Sequence, residues 1–256
     1  MAVKVALYGA TGRMGTRIAA LAEGDDAVRI VRRMGRSGVV GGGVEHRSSD
    51  ASGSKAAVGS DVGVVAGVDV VADVIIDFSS ESGTRQAIAD ARAGGAALLV
   101  GTTGLSAEIL QELALLARSN AVLIAPNTSL GVAVTRKLAR LAAELLGPAG
   151  PGGGAWSVDI VESHHDRKKD APSGTAIAIA RALESGGMAI SADRIHAIRA
   201  GDTIGEHEIR FAGPSERIHV MHQAVTRDLF AAGALRAATW LAGRSAGSYT
   251  MDDVLG

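Results

Sequence analysis

The feature that most constrains the fold is a short apolar strand pattern that runs directly into a glycine-rich turn and a helix. Val3–Tyr8 is apolar and partly β-branched, which is typical of a buried strand. The turn Gly9–Gly15 follows with the spacing G-x-x-G-x-x-G, and residues 16–23 have an apolar helical pattern. This order is typical of a dinucleotide-binding unit, in which the helix N-terminus faces the phosphates.

Each glycine of the turn has a physical purpose in such a unit. Gly9 permits the tight turn, Gly12 lets a pyrophosphate approach the backbone, and Gly15 lets the helix lie close to the strand. The alternative is a connecting turn without a ligand, since the spacing differs from the common G-x-G-x-x-G. The predicted cofactor-binding residues of this turn are Gly9, Ala10, Thr11, Gly12, Arg13, Met14 and Gly15.

The alternation of strand and helix patterns continues through the first half of the chain. Strand patterns at 74–78, 97–100 and 121–124 are separated by helical patterns. This alternation predicts an α/β fold with a Rossmann-type, doubly wound parallel sheet. Ligands of such sheets bind at the carboxyl ends of the strands. The loops expected there, besides the glycine turn, are Asp77–Ser80, Gly101–Gly104 and Ala125–Ser129.

The pattern changes after the glycine- and proline-rich run at 147–154. Short strand patterns follow at 156–162, 195–199, 204–211 and 216–224, with one helix at 173–183. They predict a smaller α+β domain with a mixed or antiparallel sheet. We therefore predict a dinucleotide-binding domain of residues 1–130 and 228–256, onto which the tail 248–255 docks. Residues 131–227 are predicted to form a substrate-binding and oligomerisation domain, and 37–60 an irregular excursion.

Composition limits the class of protein. The chain has no cysteine, which excludes disulfides and thiolate metal sites. A net charge of −1 gives no electrostatic argument for a nucleic acid or an anionic membrane as partner. No apolar run is long enough for a membrane span, and the chain enters a strand pattern without a signal peptide. These features predict a cytoplasmic protein without a nucleic-acid or membrane partner.

The end of the second strand pattern, near 28–33, bears on cofactor choice. An NAD-selective enzyme usually has an acidic residue there, whereas this chain has arginines at positions 32, 33 and 36. An arginine can pair with the 2′-phosphate of NADPH, so NADPH is favoured and NADH remains possible. Arg36 is the preferred candidate and Arg33 the second. The alternative is that these arginines are solvated surface residues.

A second constraint on function is the segment Val158–Ala178. It places His164, His165 and Lys168 between a strand pattern and a helix that starts near Ser173. Cations beside a helix N-terminus predict an anionic small-molecule ligand, and either histidine could transfer a proton. The alternative is a structural or surface histidine pair. A zinc site is disfavoured because no further ligands lie nearby, and no metal is predicted.

Several motifs together resemble one family. Residues 161–176 read Val-Glu-Ser-His-His-Asp-Arg-Lys-Lys-Asp-Ala-Pro-Ser-Gly-Thr-Ala and resemble the signature of the 4-hydroxy-tetrahydrodipicolinate reductases, also called dihydrodipicolinate reductases. Further similar motifs are Gly-Arg-Met-Gly at 12–15, Ile-Asp-Phe-Ser at 76–79, Gly-Thr-Thr-Gly at 101–104 and Pro-Asn-Thr-Ser-Leu-Gly at 126–131. The resemblance implies an NAD(P)H-dependent reduction on the diaminopimelate route to lysine, with a cyclic dicarboxylate, tetrahydrodipicolinate, as product.

The resemblance also implies roles for individual residues. His164 takes the acid/base position and Lys168 the proton-donor position, while Lys169 is expected to be solvated. The implied substrate-binding residues are His165, Gly174 and Thr175, to which the helix start adds Ser173. Arg36 takes the position that contacts the adenosine ribose. The implied cofactor residues of the other loops are Gly101, Thr102, Thr103, Ala125, Pro126, Asn127 and Thr128.

Two departures from the family pattern concern cofactor choice and assembly. Gly35 stands where many members have an acid, which again favours NADPH. The stretch 194–205 is shorter than in many members, although the resemblance still implies a homotetramer. Two other hypotheses remain: another nicotinamide enzyme, such as an amino-acid or semialdehyde dehydrogenase, or a sensor that binds NADPH without turnover. The former has no need of the 164–176 segment, and the latter needs no proton donor.

Overall fold

A computed structural model describes residues 1–36, 38–41, 71–153 and 155–256. The strands are β1 (Val3–Tyr8), β2 (Val28–Gly35), β3 (Gly38–Gly41), β4 (Val74–Asp77), β5 (Ala97–Val100), β6 (Ala121–Ile124), β7 (Ser157–His164), β8 (Ile195–Arg199), β9 (Glu206–Ala212), β10 (Arg217–Gln223) and β11 (Gly247–Tyr249). The helices are α1 (Arg13–Ala22), α2 (Glu81–Gly94), α3 (Ala107–Leu116), α4 (Leu130–Leu146), α5 (Gly174–Ser185), α6 (Asp228–Leu241) and α7 (Met251–Leu255).

The described residues form two compact units. The first unit comprises Met1–Pro126 and Ala234–Thr250, and the second Asn127–Gly233 and Met251–Gly256. Two sheets, one of seven strands and one of four, follow this division. The predicted fold class, a Rossmann-type domain with a smaller mixed-sheet domain, is confirmed.

The sheet of the first unit has the strand order β11-β6-β5-β4-β1-β2-β3. Its strands are parallel apart from β3, which pairs antiparallel with β2 at the edge. Strands β4 and β5 are buried along their whole length, which explains their continuous apolar sequences. Serine hydroxyls cap the helices that follow, as when Ser80 accepts from the Gly83 N–H at the start of α2.

The sheet of the second unit has the order β10-β9-β7-β8 and is mixed. Strand β7 lies parallel to β8 and antiparallel to β9. Alternate residues of β7 are buried, from Val158 through Ile160 to positions 162 and 164. This face packs against α4 and α5, and the core there includes Ile179, Leu183 and Phe211. The alternation therefore places two polar side chains of β7, Glu162 and His164, on the buried face.

Three sequence predictions differ from the structure. Gly38–Gly41 forms strand β3, whereas an irregular segment was predicted; Ser37 and residues 42–60 lie outside the described residues. The tail divides: Gly247–Tyr249 joins β6 in the first sheet, but α7 packs on α4 in the second unit, where Arg136 Nη2 lies 3.0 Å from Asp252 Oδ2. The unit boundary at Pro126 also precedes the predicted one at 130. The functional assignment of the units stays a prediction.

Candidate active site

The glycine turn after β1 is closely packed on its neighbours. An added Cβ at Gly9 would lie 2.1 Å from the Phe78 carbonyl oxygen, and one at Gly15 would lie 2.2 Å from the Gly9 carbonyl oxygen. Gly12 caps α1 without a side-chain hydrogen bond. Among the described residues, no acceptor takes the N–H groups of Arg13, Met14 and Gly15. The start of α1 can therefore accept an anionic group such as a pyrophosphate.

A buried carboxylate joins the neighbouring loops of the first unit. Asp77, at the end of β4, accepts hydrogen bonds from the Thr84 hydroxyl at 2.6 Å, the Thr102 hydroxyl at 2.9 Å and the Ser79 N–H at 3.1 Å. Burial raises the pKa of Asp77, while these hydrogen bonds act in the opposite direction. The side chain of Thr102 is thus used within the protein. Gly101 is also enclosed, since an added Cβ would lie 2.2 Å from the Phe78 ring.

Arg33 and Arg36, the two candidates for binding the adenosine end of a cofactor, have different surroundings at the end of β2. Arg33 Nη2 lies 3.6 Å from the Glu23 carboxylate. Arg36 is exposed and has no hydrogen-bond or ion-pair partner in the described part of the chain. Gly35 adjoins the glycine turn, because an added Cβ would lie 3.3 Å from the Thr11 methyl group and 3.0 Å from Val40. The predicted turn and the β2 end are therefore neighbours.

In the loop after β6, the side chains of Asn127 and Thr128 are already hydrogen-bonded within the protein, although both residues were predicted to bind a cofactor. Thr128 is buried, and its hydroxyl donates to the Phe230 carbonyl at 2.6 Å. Asn127 Nδ2 donates to the Thr175 hydroxyl at 3.1 Å, and its Oδ1 accepts from the Ser129 N–H. Of the other predicted loop residues, Thr103 and Pro126 are exposed and Ala125 is buried. Asn127 thus connects a predicted cofactor loop with a predicted substrate residue.

The centre of the second unit is Glu162, whose side chain is fully buried. Its Oε2 lies 2.5 Å from His164 Nδ1 and 3.0 Å from Arg199 Nη1. Its Oε1 accepts from Arg199 Nη2 at 2.9 Å and from the Ser173 N–H at 3.1 Å. The carboxylate therefore connects β7, β8 and the start of α5.

The electrostatics of this cluster favour an ionised carboxylate beside a neutral imidazole. Burial alone would raise the pKa of Glu162, but hydrogen bonds from Arg199 and His164 outweigh it and hold the pKa below its ordinary value. Burial lowers the pKa of His164, although Glu162 acts in the opposite direction. His207, whose ring centroid lies 5.2 Å from that of His164, is also buried. Its pKa is lowered to about 3, chiefly by burial.

Lys168, predicted as the proton donor, lies in the loop after β7. Its Nζ is 2.9 and 2.8 Å from the two carboxylate oxygens of Asp170. The hydrogen bond from Lys168 is the main cause that lowers the pKa of Asp170. Arg199 also holds this loop, since its Nε and Nη2 donate to the carbonyl groups of Lys168 and Asp170 at 3.3 and 2.6 Å. Lys169 is exposed.

The start of α5 only partly matches its predicted role. The Ser173 hydroxyl accepts from the Ala176 N–H as the helix cap and lies 3.2 Å from His207 Nε2. Ser173 is only 1% exposed, so its hydroxyl is engaged within the protein. Within the described residues, the N–H groups of Gly174 and Thr175 have no acceptor. These two groups can receive an anionic oxygen.

The remaining histidines differ in their hydrogen bonds. On the outer face of the second sheet, His196 and His219 bond to carboxylates at 3.1 and 2.6 Å. The buried Nδ1 atoms of His165, in the loop after β7, and of the strand residues His207 and His222 have no hydrogen-bond partner in the described part of the chain. Over the same residues, no group of three or more His, Asp or Glu side chains is placed to hold a metal ion.

The sequence patterns do not single out Glu162 or Arg199 as site residues, and they place Asp77 only in a loop expected at the ligand side of the sheet. The signal for Glu162 is its position two residues before His164, in register with Val158 and Ile160 on the buried face of β7. A charged residue in a buried register needs a partner. Arg199 has no such local signal, because its contact with Glu162 spans 37 residues.

Comparison with known proteins assigns the chain to a family. A family model described as the N-terminus of dihydrodipicolinate reductase matches residues 3–128, and one described as its C-terminus matches residues 131–255. The chain belongs to the dihydrodipicolinate reductase family. A protein of Anaeromyxobacter dehalogenans named 4-hydroxy-tetrahydrodipicolinate reductase is 41% identical, over 99% of this chain and 97% of that protein. A protein of the same name from Alkalilimnicola ehrlichii is 38% identical over 100% of both chains.

Solved structures agree on the fold. The dipicolinate-bound dihydrodipicolinate reductase of Paenisporosarcina has a TM-score of 0.73 and 22% identity, with 99% of each chain covered. An engineered D-amino acid dehydrogenase bound to NADP⁺ has a TM-score of 0.53 and 15% identity, with 100% of this chain and 96% of that chain covered. Identities this low support the fold alone. The family and its Rossmann-type domain imply a nicotinamide dinucleotide as cofactor.

No helix of the described residues is both long and apolar enough to cross a lipid bilayer.

Proposed function

We propose that this chain reduces 4-hydroxy-tetrahydrodipicolinate to tetrahydrodipicolinate with a nicotinamide dinucleotide, in the diaminopimelate route to lysine. The reaction takes up a hydride and a proton and releases water. Family membership supports an oxidoreductase with this activity. The observation that carries the proposal is the Glu162 cluster, since it sets His164 beside a cationic loop and the open start of α5. The second unit, which contains residues 131–227, would bind the substrate, and the first unit would bind the dinucleotide.

The proposed substrate site needs to hold two carboxylates and to move protons. Lys168 supplies a compact cation that can donate a proton, and His164 supplies an imidazole for acid/base chemistry. The free N–H groups of Gly174 and Thr175 and the side chain of His165 would bind substrate oxygens. Ser173 contributes through its helix cap, because its hydroxyl is already engaged. These groups fit an anionic small molecule, and the dipicolinate bound to the Paenisporosarcina reductase supports a small cyclic dicarboxylate as the substrate class.

The proposed cofactor site fits a dinucleotide. The open start of α1 would take the pyrophosphate, and the close packing of Gly15 against Gly9 brings α1 against the turn after β1. Gly101 and the backbone of 125–128 would contact the remaining cofactor, as would the exposed Thr103. When bound, the nicotinamide supplies the hydride, and the protein supplies position and electrostatics.

NADPH is the preferred cofactor in this proposal. Arg36 is exposed and unpaired among the described residues, whereas Arg33 is close to Glu23. Gly35 offers no acid to a ribose, and Val40 occupies the space beside it. We expect Arg36→Ala to raise KM for NADPH and to leave KM for NADH nearly unchanged, with Arg33→Ala as the matched control. Equal catalytic efficiency of the unsubstituted protein with NADPH and NADH would refute the preference.

A homotetramer is proposed because, among the residues that the structure describes, no element of the second unit covers one face of its sheet. Helices α4 and α5 pack on the other face. On the open face, Met221 is 59% exposed and Ile198 is 47% exposed. Sedimentation at micromolar concentration should show four subunits, and Met221→Glu should reduce that number. A parent protein that sediments as a monomer would contradict this proposal. The cytoplasmic location stays a prediction.

The reaction is tested by a coupled assay. The protein is incubated with aspartate semialdehyde, pyruvate, the synthase that condenses them, and NADPH. Loss of the absorbance of the reduced cofactor, dependent on every component, is the expected result. No oxidation of NADPH in the complete mixture would refute the proposed function. Omission of pyruvate is the control for direct reduction of the aldehyde.

The two adjacent lysines provide a matched test of the proton donor. Lys168→Ala should lower kcat by about 10²- to 10⁴-fold, the usual contribution of a positioned acid–base group. Its affinity for NADPH, measured by cofactor fluorescence, should remain nearly unchanged. Lys169→Ala should retain the parent kcat because Lys169 is exposed. Loss of cofactor binding in the Lys168 variant would show that the site is misassigned.

A further inference from the structure

We propose that Glu162 and Arg199 are positioning residues: Glu162 fixes the orientation and tautomer of His164, and Arg199 ties that carboxylate to the loop carrying Lys168. The inference rests on the roles proposed above for His164 and Lys168. It assigns a role to the ion pair between the fully buried Glu162 and the partly buried Arg199.

The first step concerns the proton on His164. An ionised carboxylate can only accept hydrogen bonds, so His164 Nδ1, 2.5 Å from Glu162 Oε2, must carry a proton. In the neutral ring, Nε2 is then the basic nitrogen. Gly205 lies beside Nε2 and has no side chain to block it, whereas an added Cβ would lie only 3.1 Å from this atom. No protein group in the described residues bonds to Nε2, which leaves this atom for proton exchange with a ligand.

The second step concerns the loop. Arg199 forms a two-pronged contact with Glu162 through Nη1 and Nη2. The same guanidinium donates to the carbonyl groups of Lys168 and Asp170. One side chain therefore spans the carboxylate partner of His164 and the loop that carries the second proton-transferring residue. Loss of the guanidinium would release both.

The third step concerns electrostatics, because Glu162 and Arg199 shift the pKa of His164 in opposite directions. The charged or titratable groups that face His164 are Glu162 on its own strand, Arg199 on β8, His207 on β9 and Lys168 in the loop. Burial chiefly lowers the pKa of His164, Glu162 raises it, and Lys168 and Arg199 lower it. Removal of the Glu162 charge should therefore lower the pKa of His164 further. Removal of the Arg199 charge should raise it.

The test compares Glu162→Gln with Arg199→Gln in the full-length protein. Steady-state kinetics are measured across pH with saturating NADPH. For Glu162→Gln we expect kcat to fall by about 100-fold, the lower end of the contribution of a positioned acid–base group. KM for NADPH should stay within about twofold of the parent value. The limb of the pH profile that reports His164 should move to lower pH in Glu162→Gln and to higher pH in Arg199→Gln.

A conservative variant separates charge from geometry. Arg199→Lys keeps the cation beside Glu162 but cannot reproduce the planar fork. Its His164 limb should remain near the parent position, while kcat falls because the Lys168 loop is less well held. If Glu162→Gln does not fold, the two Arg199 variants still decide the matter. A limb that moves the same way in both Gln variants, or moves in neither, would overturn the inference.

Two further variants distinguish this inference from the proposed function. His164→Ala should abolish most turnover; if it does not, the site assignment itself is wrong. If His164→Ala is inactive while Glu162→Gln keeps the parent kcat and pH profile, only the positioning role is wrong. Glu144→Gln is the matched control, because it removes an exposed glutamate 2.8 Å from Arg140 on α4. It should leave both kcat and the pH profile unchanged.

Discussion

Two clusters of the same three residue types lie on opposite faces of the second sheet. The inner cluster consists of Glu162, His164 and Arg199, and the outer cluster of Glu208, Arg210 and His219. Glu208 pairs in register with Val161, the neighbour of Glu162 along β7, and therefore points away from the inner cluster. In both clusters the glutamate bonds to a histidine Nδ1 and to an arginine.

Burial distinguishes the two clusters. The Glu162 side chain is fully buried, whereas that of Glu208 is 19% exposed and that of His219 is 50% exposed. Within a single subunit, water can replace a lost partner in the outer cluster, whereas it has no access to the Glu162 carboxylate. In the outer cluster, the hydrogen bond from Arg210 is the main cause of the lowered pKa of Glu208. We therefore expect the glutamate–arginine pair to contribute strongly to stability only on the face that α4 and α5 cover.

The largest difference between the two clusters should be in the free energy of unfolding that is lost when each arginine is replaced. Arg199→Ala leaves the Glu162 carboxylate buried without its main counter-charge, so it should lower the free energy of unfolding by about 3 kcal/mol. Arg210→Ala, on the exposed face, should lower it by much less, because water screens the ion pair. Urea unfolding of the second unit can be followed through Trp156 in a Trp240→Phe background, since a chain with two units need not unfold in one transition. Equal losses in both variants would remove the distinction between the clusters.

A smaller difference should appear in the pH dependence of stability. His207, behind the inner cluster, has a pKa lowered to about 3 and is neutral in the folded protein. The unfolded chain binds a proton at this residue below about pH 6.5, so acidification favours unfolding. Between pH 6.5 and 5, this residue should lower the free energy of unfolding by about 1.5 kcal/mol. His164, whose pKa is also lowered, acts in the same direction.

The control for this pH dependence is again on the outer face. His207→Gln should reduce the loss of stability between pH 6.5 and 5, measured by the same unfolding assay. His219→Gln should leave the loss as it is in the parent, because His219 is half exposed. A pH dependence that His207→Gln does not reduce would show that the buried histidine is not its source.

The smallest effect is expected for Glu208→Gln. This variant mirrors Glu162→Gln in chemistry but alters an accessible carboxylate. Stability should change by less than about 0.5 kcal/mol, as for most surface substitutions. The kcat value and its pH profile should match those of the parent. The comparison is made at a protein concentration at which the variant and the parent have the same oligomeric state by sedimentation. A large loss of turnover would place the outer cluster in the functional machinery.

Local sequence patterns predicted much of the fold because they reflect short-range physics. Strands β1, β5 and β6 have the predicted bounds, since each is an apolar run between a turn and a polar loop. The serine cap at Ser173 lies where a helix start was expected. Strand β3 was not predicted because Gly38–Gly41 is stabilised by pairing with β2 rather than by its own pattern.

Local sequence was enough to predict that His164, His165 and Lys168 precede a helix start, because these residues are neighbours in the chain. Their surroundings depend on strand pairing between distant segments. Parallel pairing of β7 with β8 sets Arg199 beside His164, although 35 positions separate them in the chain. The buried face of β7 then excludes water from Glu162, so that arginine and histidine must satisfy its charge. The buried register of Glu162 is a local pattern, but its pairing with Arg199 is not, because the contact joins residues 37 positions apart.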